Sequence, residues 1–165
     1  MSFFPKINKI YPDFPDKLLL SNTVYILTSP TTSTTSNRIY IDFVNLRRII
    51  NNVDINNIVD HFIELIVEIL KESETVEIHM NLKSFTISTM EKYKDLVLMF
   101  YNKYKSDYIT RINAVYIYYT PHVFEAIKTI FVKLCPLSNS FGVVPILYSN
   151  KESTIKLNEL LQNDK

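Results

Sequence analysis

Few side chains here have types and spacings that could carry covalent chemistry. The three histidines, His61, His79 and His122, fall on different predicted elements, so no two of them have metal-ligand spacing on one element. His122 opens a helix but has no neighbouring nucleophile to activate. Cys135, the single cysteine, continues the apolar face of its helix, the setting of a buried and inert thiol. Asp42 ends a strand and has no obvious partner. There is no Gly-x-Ser-x-Gly elbow. The only glycine, Gly142, excludes a P-loop or dinucleotide fingerprint, because both need several glycines to bring backbone amides onto phosphate. The reading is a protein that is not an enzyme and uses no metal or cofactor.

The 165 residues fit one domain, 1–165, with enough length to bury a core. Apolar residues make up 47% and charged residues 21%, a globular composition. A net charge of +1 argues against a nucleic-acid partner. A lone cysteine fits a reducing, intracellular compartment, so a cytoplasmic location is expected. No apolar run reaches membrane-spanning length and the first residues lack a signal-peptide core. The abundance of Asn and Ile is what an AT-rich genome, a viral one for instance, would give.

The elements that must position any site centre on residues 76–136. Val76–Met80 predicts a short strand. Ser88, with Glu91 three residues on, predicts a capping box at the start of a helix running to about Tyr104. Tyr93, Leu96, Phe100 and their neighbours follow at helical spacing. Ile112–Tyr119 is β-branched and aromatic, hence a second strand. Thr120 and Pro121 suit the cap and first position of the next helix. Strand, helix and strand in this order predict a parallel pair with a right-handed crossover.

Around that unit, Met1–Leu20 reads as an arm, its prolines Pro5, Pro12 and Pro15 forbidding a long helix. Its aromatic residues would pack on the domain or meet a protein partner. Thr23–Leu27 and Arg38–Val44 predict a hairpin across a Ser/Thr-rich loop, Ser29–Asn37. Asp54 caps a helix through Lys71. Val143–Tyr148 is an edge strand because Pro145 removes a ladder donor. Ser149 or Asn150 caps a last helix. The fold class is α/β: a mixed, mostly parallel sheet of about five strands with helices packed on it.

The helix from Pro121 to Cys135 is apolar nearly all round, through Phe124, Ile127, Ile130, Phe131, Val132 and Leu134. Such a helix is either wholly buried or covers something greasy. It is expected to border the largest apolar pocket.

The stretches Asn81–Thr89 and Tyr108–Pro121, followed by Phe124 and Lys133, resemble the CRAL-TRIO lipid-binding domain. That family has a strand ending in Asp-Leu-Lys-Gly and a helix. Tyr-Pro-x-Arg then precedes a strand ending in Asn-Ala-Pro, and a gate helix follows. The resemblance spans residues 76–148. Asn81 stands in place of the family's Asp, Ser84 of its Gly, Ile109 of its Pro, and Tyr119-Thr120 of its Asn-Ala. The family's helical N-terminal subdomain is absent.

The resemblance implies a sheet flooring an apolar pocket, gated by the helix from Pro121, that holds a phospholipid or another hydrophobic ligand. It implies Thr86, Ser88 and Thr89 at the ligand's polar end, and Phe124, Ile127 and Phe131 along its apolar part. Transient contact with a membrane surface would go with that role. Two alternatives stand beside it. One is a member whose core has closed, serving as a protein-interaction or structural module, in a virion for instance. The other is a different small α/β module of the anti-sigma-antagonist kind.

Overall fold

A computed structural model of the protein describes residues 14–28, 35–104, 109–126, 129 and 145–162. It is an α/β protein. Five strands, β1 (Val24–Thr28), β2 (Thr35–Asp42), β3 (Val76–Asn81), β4 (Ile112–Tyr118) and β5 (Ile146–Leu147), form one sheet in chain order. β1 and β2 are an antiparallel hairpin, while β2, β3, β4 and β5 run parallel. Helices α1 (Phe14–Ser21), α2 (Phe43–Ile49), α3 (Ile55–Leu70), α4 (Ile87–Tyr104) and α5 (Asn150–Gln162) pack around it.

Period-2 alternation divides the sheet residues between two faces. Ile39, Val76 and Ile78 point one way and meet Ile63, Ile66 and Ile69 of α3. α3 carries a wide apolar stripe, so it covers this face, with α4 packed beside it. Asp54 caps α3 as expected, its carboxylate accepting from the Asn56 amide at 2.8 Å. On the opposite face Tyr40 and Tyr118 pack with Leu157 and Leu160 of α5. A third cluster, Leu20, Leu46, Ile50, Val53, Ile58 and Tyr93, closes the end of the sheet where β2 and β3 stop.

Several element boundaries differ from the sequence reading. β2 starts at Thr35, inside the expected loop, and stops at Asp42 rather than Val44. Asp42 turns the chain into α2, its carboxylate accepting from Val44 and Asn45 amides at 3.0 and 3.3 Å. The arm contains an eight-residue helix, α1, with Pro15 in its first turn, where a missing N–H costs little.

α4 is capped by Thr86, not Ser88. The Thr89 amide donates to Thr86 Oγ1 at 3.3 Å and the Thr86 amide to Thr89 Oγ1 at 2.8 Å. This is a reciprocal box two residues upstream of the expected one, and it leaves Ser88 within the first turn. Thr120 does not cap the following helix; its hydroxyl donates back to the Ile117 carbonyl at 3.4 Å. At the other end of the chain, Ser149 and Glu152 form the box that starts α5. β5 is an edge strand, as Pro145 required.

Candidate functional site

Two recesses of about 310 Å³ each mark the described surface. The first lies on the sheet face shared with α5. Parallel register sets Arg38 beside Glu77, Tyr40 beside His79, and His79 beside Tyr116. The rings therefore stand in rows across the strands. His79 lies flat on Tyr116, with centroids 4.5 Å and planes 9° apart. Tyr148 follows 6.4 Å from Tyr116, again at 9°, and Lys156 of α5 stands over the Tyr148 ring at 5.9 Å. Arg38, Glu77, Glu159 and Leu160 complete the walls.

Hydrogen bonds fix this floor. His79 Nε2 is 3.2 Å from Glu77 Oε1, and Nδ1 is 2.8 Å from Tyr118 Oη. A carboxylate only accepts, so the neutral ring donates from Nε2 and accepts the Tyr118 proton at Nδ1. Asn81 Nδ2 donates to Tyr40 Oη at 3.1 Å. Burial lowers the His79 pKa, outweighing the Glu77 carboxylate that raises it. Burial also raises the pKa of Tyr118, so its phenol keeps its proton. The surface offers rings and hydrogen bonds for binding.

The second recess lies at the end of β2 and β3. Asp42 starts α2 there, and α2 carries Phe43, Val44, Arg47 and Arg48 to one wall. The turn after β3 brings Lys83, Ser84 and Phe85, and α4 adds Thr89 and Tyr93. Ser84 has φ 66°, a left-handed backbone normally given to glycine. Phe43 meets Phe85 and Tyr93 edge-on, at 5.7 and 5.1 Å between centroids. Tyr93 is 2% exposed, and its hydroxyl has no hydrogen-bond partner among the described residues. Burial pushes its pKa up to about 12, against the pull of Arg47.

The residues expected to bind ligand are partly gathered here. Thr86, Ser88 and Thr89 form one hydroxyl cluster, with Thr86 Oγ1 2.9 Å from Ser88 Oγ, and Thr89 reaches the second recess. Phe124 is half-buried and lines neither recess; Ile127 and Phe131 lie outside the described residues, as does Cys135. His61 is a core residue, its Nε2 2.8 Å from the Val24 carbonyl, and His122 is exposed.

Sequence reasoning missed the ring face and the three cations. Alternation was the available signal: Glu77 and His79 on one strand and Tyr116 and Tyr118 on the next must share a face. Among the described residues no group of His, Cys, Asp or Glu could hold a metal ion. No described helix is long and apolar enough to cross a membrane. Compared with known protein families and with curated proteins, the chain matches none.

Proposed function

We propose that this is a CRAL-TRIO-type module that binds a phospholipid or another amphipathic ligand without covalent catalysis. One observation carries the reading. Among the described residues, two that are not glycine have positive φ, Ser84 at 66° and Tyr119 at 55°. They stand where the resembled family has Gly and Asn. Those residue types tolerate the left-handed region best. Left-handed backbone at both positions is what a Gly and an Asn there would accommodate, and this supports the reading.

The sheet face beyond β4 is the surface that such a ligand would use. Its floor is tyrosine-rich rather than aliphatic, which favours a ligand with polar groups along its length. Two tyrosines, Tyr116 and Tyr148, are half-buried there, one stacked on His79 and the other under Lys156, and both leave part of the ring open to a ligand.

Native mass spectrometry of the purified protein, followed by lipid extraction, tests the proposal. Co-purified lipid at near-stoichiometric amount is expected. An empty protein that also fails to take phospholipid from vesicles would leave the closed interaction module in its place.

A further inference from the structure

We propose that the recess between α2, the turn after β3 and α4 docks a protein partner: a short linear segment in which acidic residues flank a bulky apolar one. Arg47, Arg48 and Lys83 pair with its carboxylates, and its apolar side chain enters against Phe43 and Phe85. This goes beyond the ligand on the sheet face. The two recesses share no wall, and neither reading depends on the other.

The sheet brings the cations together. Parallel register pairs Asp42 with Asn81, so β2 and β3 end side by side. Asp42 starts α2, whose last turn carries Arg47 and Arg48, and the turn after β3 brings Lys83 to the facing wall. All three are exposed, and among the described residues none has a carboxylate within 4 Å. Arg48 reaches the Asn45 side-chain oxygen at 3.5 Å, and Lys83 stands over the Tyr119 ring at 5.3 Å. The end of the α2 dipole offers the two arginines only a partial negative charge. Among the described residues no acidic side chain lines the recess, in a chain whose net charge is only +1. A surface of one sign selects a partner of the other and repels its like.

The apolar part sets the partner's shape. Phe43 and Phe85 are half-buried and meet edge-on at 5.7 Å, with Phe43 also edge-on to Tyr93 at 5.1 Å. These contacts hold the rings inside the recess. A flat bilayer would meet the cations and miss the rings, whereas a projecting side chain reaches both. The volume, about 310 Å³, is at the low end of the roughly 300–1,000 Å³ of ligand pockets, which suits one large side chain rather than a helix face. Reading of acidic motifs by cation clusters is a recurring mode of peptide recognition.

The test is fluorescence anisotropy of the full chain with a labelled peptide, Asp-Glu-Asp-Leu-Phe-Asp-Glu-Asp. Saturable binding is expected, weakening several-fold between about 0.1 M and about 1 M salt. Serine in place of the peptide's Leu and Phe should weaken it by roughly tenfold, the loss of one buried side chain. Arg47→Glu with Arg48→Glu and Lys83→Glu, all exposed, should weaken it by roughly tenfold or more. The same variant should bind a peptide with Lys at every acidic position, which the parent should not, and misfolding cannot produce that gain. Absence of saturable binding by the parent overturns the proposal, as does equal binding by the reversed variant. Equal binding of the serine peptide overturns the apolar anchor. Binding to phosphatidylcholine vesicles containing phosphatidylserine, with none to the peptide, would assign the recess to a membrane surface instead. Concentration-dependent sedimentation that the reversal abolishes would assign it to a second copy of the chain.

Discussion

The His79 imidazole rests on the Tyr116 ring at 4.5 Å while its Nδ1 meets Tyr118 Oη at 2.8 Å. One residue thus joins the ring stack to the hydrogen-bond chain, and the hydrogen-bond chain depends on its being neutral. Protonation would turn Nδ1 into a donor facing a phenol whose proton must then turn away. Glu77 would favour the cation, but burial dominates and the pKa is lowered.

The pH dependence follows. His79 and the equally buried His61 both have pKa values below the ordinary 6.5. For a base with a depressed folded pKa, the unfolded chain takes up the proton first as pH falls. The stabilisation is therefore full above pH 6.5 and is lost progressively below it, down to each folded pKa. The melting midpoint should fall between pH 7 and pH 5. Each imidazole contributes at most about 1.4 kcal/mol per pH unit. His79→Phe with Tyr118→Phe keeps the rings and removes the proton acceptor. Its melting curve should depend on pH less steeply; an unchanged slope would show that His79 does not titrate with unfolding.

The cap of α4 makes a second prediction. Thr86 and Thr89 exchange backbone and side-chain hydrogen bonds, whereas among the described residues the Ser88 hydroxyl meets Thr86 Oγ1 alone. Thr86→Ala should cost about 1 kcal/mol, and Ser88→Ala no more than a few tenths. Urea unfolding of the two variants separates them. The reverse ranking would restore the helix start to Ser88.

This displacement shows how far sequence patterns reach. The α3 stripe, from Ile58 to Ile69, follows from period, and the strands expected at Val76–Met80 and, from β-branched and aromatic composition, at Ile112–Tyr119 each lie within one residue of those observed. A Ser/Thr cluster does not say which hydroxyl caps, because Thr86, Ser88 and Thr89 all have suitable chemistry. The end of β2 was obscured for a similar reason: Phe43 and Val44 have strand propensity, yet Asp42 supplies a cap that starts a helix. The recess at Arg47, Arg48 and Lys83 joins positions far apart in the chain. Only the parallel pairing of β2 with β3 brings them together.

Ser84 offers a third prediction. Its left-handed φ is strained for a residue with a Cβ, and its side chain is exposed. Ser84→Gly relieves about 1–2 kcal/mol of strain while adding entropy to the unfolded chain. The net effect should be a gain of about 0.5–1 kcal/mol in unfolding free energy. A loss would mean that the Ser84 hydroxyl holds the turn.

The last prediction concerns the ligand on the sheet face. Lys156 is exposed on α5 and overhangs Tyr148 at the rim of the recess. A large ring there would fill the space from above without entering the core. Exposed substitutions of this kind usually change stability by no more than about 0.5 kcal/mol. Lys156→Trp should therefore lower the amount of co-purified lipid several-fold while the emptied protein melts as the parent does. If lipid content stays at the parental level while the fold is intact, the ligand does not lie on the tyrosine face. If the parent itself carries no lipid and the variant is as stable, the face is a closed surface suited to a protein partner.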